Sequence, residues 1–186
     1  MSNTNIQKFC ELVRIRSEEH RKTIITLVKE IVDGQLISVV SQELDSLIRV
    51  IYLLTKESSV RNILIEQTFN HERWKDGKNN ITDRAMLDKA SYIHGWASMV
   101  YDFGCAFIHL SSYHDYFTED PFSSITEDDL IKIKSYMQQY HSFPIDNDIN
   151  FNTMKPYLSS IFEKINSNLE YYLCDLEKDP PLKSIY

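Results

Sequence analysis

Apolar residues recur along most of the chain at the three- and four-residue spacing of helices that bury one side. Ile6, Phe9, Val13, Ile24, Leu27, Val28 and Ile31 predict a first helix over residues 4–32. Asp33-Gly34 is its expected stop, because glycine takes the left-handed closing conformation without a Cβ penalty. A second helix over 36–56 is denser, with Ile37, Val40, Leu44, Leu47, Ile48, Ile51 and Leu54, while Asp45, Arg49 and Tyr52 at i, i+4 and i+7 share a side. The run Leu36 to Val40 has strand propensity, but the helical period continues through Leu54. Ser58 or Ser59 caps a shorter helix over 60–69, and NHERWKDGKNN at 70–80 is a loop with turn residues Gly77 and Asn79-Asn80. Thr82 caps a long helix running to about Tyr116, before Pro121. Thr126, three residues ahead of Asp129, has capping-box spacing and opens a helix to about Tyr140; Asp in place of Glu weakens the reciprocal bond. Residues 144–152 form a loop, and Pro156 sits in the first turn of a last helix ending near Leu176. The pattern predicts an all-α fold, a single-domain bundle of five or six helices with long antiparallel members over residues 1–177. A frayed tail is expected over 178–186, around Pro180-Pro181.

Composition agrees with long helices. Only 4 Gly and 5 Pro leave little material for the turns of a sandwich or barrel, and 42% hydrophobic residues exclude a disordered chain. A net charge of −7 weighs against holding nucleic acid by the whole surface. The densest cationic stretch, Arg14, Arg16, Arg21 and Lys22, is interrupted by Glu18 and Glu19 and is expected to be a solvated helix face stitched by i,i+4 pairs. The 3 cysteines, Cys10, Cys105 and Cys174, make no CxxC and no disulfide framework. No signal pattern and no membrane-length apolar run occurs, so a cytoplasmic setting without membrane contact is the expectation.

Candidate chemistry lies on the expected long helix. Ile93, Trp96, Met99, Val100, Phe103, Phe107 and Leu110 form its apolar side. Almost opposite, His94, Ser98, Tyr101, Asp102, Cys105, His109 and Ser112 fall within roughly 80° at about 100° per residue. A solvated face normally carries Lys and Glu; imidazoles, a thiol, a phenol and hydroxyls are groups that can be buried if each finds a hydrogen-bond partner. His109 could act as a general base oriented by Asp102, or by Asp45 of a neighbouring helix. A metal site is not expected, since HExxH and paired ExxH motifs are absent. Cys105 in mid-helix lacks the electropositive setting of a nucleophile. With no phosphate-binding glycine loop, no cofactor is implied. The competing structural reading makes the stripe half-buried polar packing at a helix or subunit interface.

The segments SQELDSLIRVIYLL and YDFGCAFIHLSSYHDY, with the element Cys105-Ala-Phe-Ile-His109 followed by Ser111, resemble the HEPN superfamily over roughly Leu36 to Tyr116. The resemblance implies a helical bundle, often dimeric, whose active members are metal-independent RNases with an Arg four to six residues before a His. This chain departs from that signature, because Asp102, Phe103 and Gly104 occupy the positions that would supply the arginine for His109. A literal match, Arg14 and His20, is at the level of chance, and Lys89 with His94 gives a Lys version of the spacing. The resemblance therefore implies a non-catalytic, homodimeric binding or assembly module with a protein or RNA partner. The alternative it implies is an RNase of toxin or phage-defence type, with His109 as base and Arg49 or Lys89 as cation. A third expectation is a small-molecule pocket lined by Tyr101, Cys105 and His109 with second-helix residues, His94 and Ser112 being further ligand candidates on the stripe.

Overall fold

A computed structural model describes residues 2–180. In chain order the helices are α1 (Ser2–Glu30), α2 (Asp33–Leu54), α3 (Ser58–Phe69), α4 (Asp83–Ile93), α5 (Ala97–Ile108), α6 (Glu127–His141), the single-turn α7 (Phe151–Met154) and α8 (Leu158–Glu177). Short 3-10 turns cover Ser112–Asp115, Pro121–Ser124 and Lys155–Tyr157, and a two-residue-per-strand hairpin pairs β1 (Lys75–Asp76) with β2 (Asn79–Asn80). The all-α expectation agrees with this architecture.

α2 is the axis of the bundle. It is buried almost all round, from Leu36 to Leu54, as a helix enclosed by others must be. Its neighbours are α8, α5, α1 and α4. Three serines would break the apolar surface, but Ser38, Ser41 and Ser46 return their hydroxyls to the carbonyls of Gly34, Ile37 and Gln42 one turn back. The approach to α5 is tight: a Cβ on Gly104 would lie 2.9 Å from the Ser41 Cβ.

Two junctions differ from the sequence expectation. The run from Thr82 to Tyr116 is not one helix. Thr82 caps α4 by accepting from the Ala85 N–H at 3.2 Å, but α4 stops at Ile93 and α5 restarts at Ala97. The break falls at His94-Gly95, where glycine has low helix propensity and the His94 ring turns away to meet Tyr172 of α8. α5 then ends at Ile108. His109 is extended, and Ser111 caps a separate 3-10 turn by accepting from the Tyr113 N–H at 3.2 Å.

The second difference is the α1–α2 turn. Asp33-Gly34 does not close α1 but opens α2, and Ile31 takes the left-handed conformation instead, with φ 57°. Val32 N–H reaches back to Leu27 O at 3.0 Å, the six-to-one bond of a Schellman closure. Gly34 is small for another reason: a Cβ there would lie 3.4 Å from the Tyr116 ring.

At the chain's end, the first residues of the expected fraying tail are held. Asp179 accepts from Arg61 at 2.9 Å and from Ser58 at 2.6 Å, and Pro180 O accepts from Arg61 at 2.7 Å. The rest of that tail, 181–186, lies outside the described residues. Among the described residues no helix is long and apolar enough to cross a membrane.

Candidate functional site

The break at His94-Gly95 and the end of α5 at Ile108 divide the polar stripe into three separate places. His94 caps the end of α4 and faces α8, its Nε2 3.0 Å from the Tyr172 hydroxyl and its ring against Trp96. Burial, and then the charge of Lys164, hold its pKa below the usual histidine value. Tyr101, Asp102 and Cys105 stay together on α5, towards α4 and α2. Asp102 is exposed and pairs with Arg84 at 3.5 Å. Burial, and a bond to Cys105, push the Tyr101 phenol up to about 12, with the charges of Asp83 and Asp45 adding to the shift. Burial also raises the Cys105 thiol, against the opposing bond from Tyr101, so the sulfur is a poor nucleophile. His109 and Ser112 are exposed at the far end, where the His109 N–H closes α5 on Cys105 O at 3.0 Å.

Arg49 is the one candidate held in a built environment. Its Nε lies 3.0 Å from both oxygens of Asp45, its Nη2 lies 3.0 Å from Asp83, and its guanidinium rests over the Trp74 ring at 5.5 Å. Burial works against its charge, yet the two carboxylates win and raise its pKa. Asp45 is also approached by Arg16 at 3.7 Å, and Arg16 donates to Ser46 at 2.9 Å. Trp74 is fixed in turn by the Thr68 hydroxyl, which accepts from its Nε1 at 2.8 Å, and by the hairpin, whose Ile81 N–H bonds Trp74 O at 2.8 Å.

These residues wall an open groove of about 1040 Å³ between α1, α2, the end of α3 and the hairpin. Phe9, Leu12, Val13, Trp74 and Ile81 supply its apolar surface, and Arg16, Arg49, Glu72, Arg73 and Asp83 its charged edge, with His71 beside them.

The structure does not bring Arg49 and His109 together. Gly104 meets Ser41, and Ser38 donates to Phe107 O at 3.3 Å, so α2 and α5 run antiparallel. From that contact Arg49 lies about 12 Å along α2 and His109 about 8 Å the other way, a separation of roughly 20 Å at 1.5 Å per residue. Nor do Arg14 and His20 share a site. Arg14 reaches α8, at 2.8 Å from Glu170 and 2.5 Å from Glu177, while His20 faces α2.

The charged run of α1 is therefore not a face of local pairs. Of its charges, Lys22 makes an i,i+4 pair, with Glu18 at 3.7 Å; Arg14, Arg16 and Arg21 tie α1 to α8 and α2.

Sequence reasoning also passed over Glu43, which is fully buried. Its carboxylate accepts from His20 Nδ1 at 2.7 Å, from Asn166 at 2.9 Å and from the Ser17 hydroxyl. Burial opposes its ionisation, but the three donors outweigh it and hold the carboxyl below the usual carboxylate range. A Ser–His nucleophile needs the hydroxyl on the imidazole; here the hydroxyl goes to the carboxylate, and the cluster fastens α1, α2 and α8. The signal was a carboxylate on the apolar stripe of Leu36, Val40 and Leu47, where an unpaired charge is not tolerated.

A separate apolar cavity of about 80 Å³ lies on the other side of α5, lined by Trp96, Phe103, Tyr136 and Met137 among others. Tyr101, Cys105 and His109 do not line it. Among the described residues no group of three His, Cys, Asp or Glu side chains is arranged to hold a metal ion. No family model, no curated protein and no solved structure matches this chain.

Proposed function

We propose that the chain is a non-catalytic binding and assembly module built as a HEPN-like helical bundle and working as a homodimer, with the groove over Trp74 as its recognition surface. The state of Arg49 carries this reading. A guanidinium that stabilises a scissile phosphate must be free to meet it. Arg49 shares its Nε–H between both oxygens of Asp45, donates from Nη2 to Asp83 and lies over the Trp74 ring. It serves as a wall of the groove and not as a waiting anion site. The base candidate, His109, is exposed at a helix end on a different part of the surface.

The groove's chemistry favours an amphipathic protein segment over an RNA backbone. Its floor is apolar, and carboxylates already neutralise two of its arginines. RNA binding draws on cations that can shed their counterions to phosphates, whereas an apolar floor with a charged rim is the usual anatomy of a protein interface.

The first test is expression of the wild type and His109→Ala side by side at equal soluble levels, scoring growth and RNA integrity. Normal growth and intact RNA in both are expected. Arrest with RNA fragments in the wild type alone would overturn the non-catalytic reading and establish the nuclease alternative.

A further inference from the structure

The outward face of α1 carries a seam that nothing else among the described residues covers. Glu11, Ile15, Glu18, Lys22, Ile25 and Lys29 follow one another at spacings of four and three, the spacing of a helix-pairing stripe. All six are exposed, Ile15 by 53% and Ile25 by 67%. Exposed isoleucines at matched positions, with Leu12 and Val28 also exposed on the same helix, are not needed by the monomer.

We propose that two copies of this chain pair antiparallel along this seam, so that residues whose numbers sum to 40 face each other across a twofold axis. The proposal rests on the homodimeric reading above and specifies its surface. In that register Ile15 meets Ile25 of the second copy, Glu18 meets Lys22, and Glu11 meets Lys29. The symmetry repeats each contact, giving two Ile–Ile layers and four Glu–Lys layers. Charge decides the orientation. A parallel pairing in register would set Glu11 and Glu18 against themselves and Lys22 and Lys29 against themselves, and like charges across a pairing seam select against it. Glu19 and Arg21 flank the axis on either side of the seam and each comes near its own copy; a Lys22 from each chain lies beside Glu19, and Arg21 is drawn towards α8 by Glu163 at 3.1 Å.

From Glu11 to Lys29 the seam spans about 27 Å, at 1.5 Å per residue. A single helix pair of that length is at the small end of specific interfaces, and most of its layers are ionic. The dimer is therefore micromolar and weakened by salt.

The experiment is sedimentation equilibrium on the wild type, Glu18→Lys, Lys22→Glu and an equimolar mixture of the two variants, at low and high salt. Both residues are surface positions that, among the described residues, pair with each other at 3.7 Å, so the fold is retained, and circular dichroism checks this. Each single reversal turns two attractive layers repulsive and weakens dimerisation about 30-fold. The mixture restores it, because a chain carrying Glu18→Lys then presents two lysines to the two glutamates of a chain carrying Lys22→Glu. A wild-type dimer that neither reversal weakens would overturn this surface and leave the homodimer itself standing. Weakening without rescue in the mixture would overturn the antiparallel register. A wild type that stays monomeric at high micromolar concentration would overturn both the surface and the homodimer.

Discussion

Replacing Glu43 is the sharpest test of how the bundle is held. The carboxylate is fully buried and takes hydrogen bonds from Ser17, His20 and Asn166, joining α1, α2 and α8. Truncation to alanine strands three donors, the His20 Nδ1–H, the Ser17 O–H and an Asn166 N–H, because the bond that Ser17 accepts from Asn166 leaves its own hydroxyl proton without the carboxylate. An orphaned buried donor costs about 1–3 kcal/mol. Glu43→Ala should therefore destabilise the protein by about 4 kcal/mol, lowering Tm by about 10 °C at this chain length.

Glu43→Gln separates charge from shape. It keeps one acceptor but sets an amide N–H₂ against a donor, at about half the alanine cost. The same comparison has a pH signature. The folded carboxyl titrates below its unfolded value, so its stabilisation is fully present above the ordinary glutamate pKa of about 4.3 and is lost as pH falls through the lower folded value. Urea unfolding from neutral to acid pH should show the wild type losing more stability than Glu43→Gln. An alanine variant costing less than about 1 kcal/mol, or parallel acid limbs for wild type and Gln, would refute the assignment of a buried, ionised lock.

Two other perturbations follow from close geometry. Gly104→Ala gains about 1 kcal/mol of helix propensity, but its Cβ meets the Ser41 Cβ at 2.9 Å, and rotating the hydroxyl cannot relieve that contact. Forcing α2 and α5 apart makes the variant about 1–2 kcal/mol less stable, and Ser41→Gly in the same chain should couple favourably by about 1 kcal/mol in a double-mutant cycle measured by chemical denaturation. Ile31→Gly should do the reverse. Ile31 is 76% exposed and left-handed, so glycine removes strain with little loss of burial, and thermal unfolding should show a gain of about 1 kcal/mol.

What the sequence made legible was whatever is decided within one turn of helix. Thr82 and Thr126 cap α4 and α6 as their side chains require, accepting from Ala85 and Asp129, and the apolar stripe of α2 marked it as the enclosed helix. Even here chemistry refined the detail: the Asp129 carboxylate accepts from the Thr126 hydroxyl at 2.8 Å instead of reaching the backbone of the cap. The missed features are decided by partners far along the chain. His94 leaves the helix for Tyr172, which no local window around YIHGW contains. Glu43 was visible as an odd carboxylate, but Ser17, His20 and Asn166 come from two other helices. The α1 arginines were visible as charges, yet helical spacing cannot say whether a guanidinium folds back on its own helix or crosses to the next.

The α1–α2 turn joins these two kinds of information. Glycine is the residue a Schellman closure favours, and Gly34 is present, but α1 closes three residues earlier on Ile31. Moving the closure to Gly34 would lengthen α1 and draw Asp33 and Gly34 out of the first turn of α2. Asp33 is held there by Lys155 at 2.9 Å, and Gly34 gives room to the Tyr116 ring. The tertiary contacts of α2 thus outweigh the local preference of α1, and the strain is left on an isoleucine just beyond Lys29. The position of that closure fixes where the exposed stripe of α1 ends, so a seam matched about residue 20 depends on a turn that the local sequence alone would have placed elsewhere.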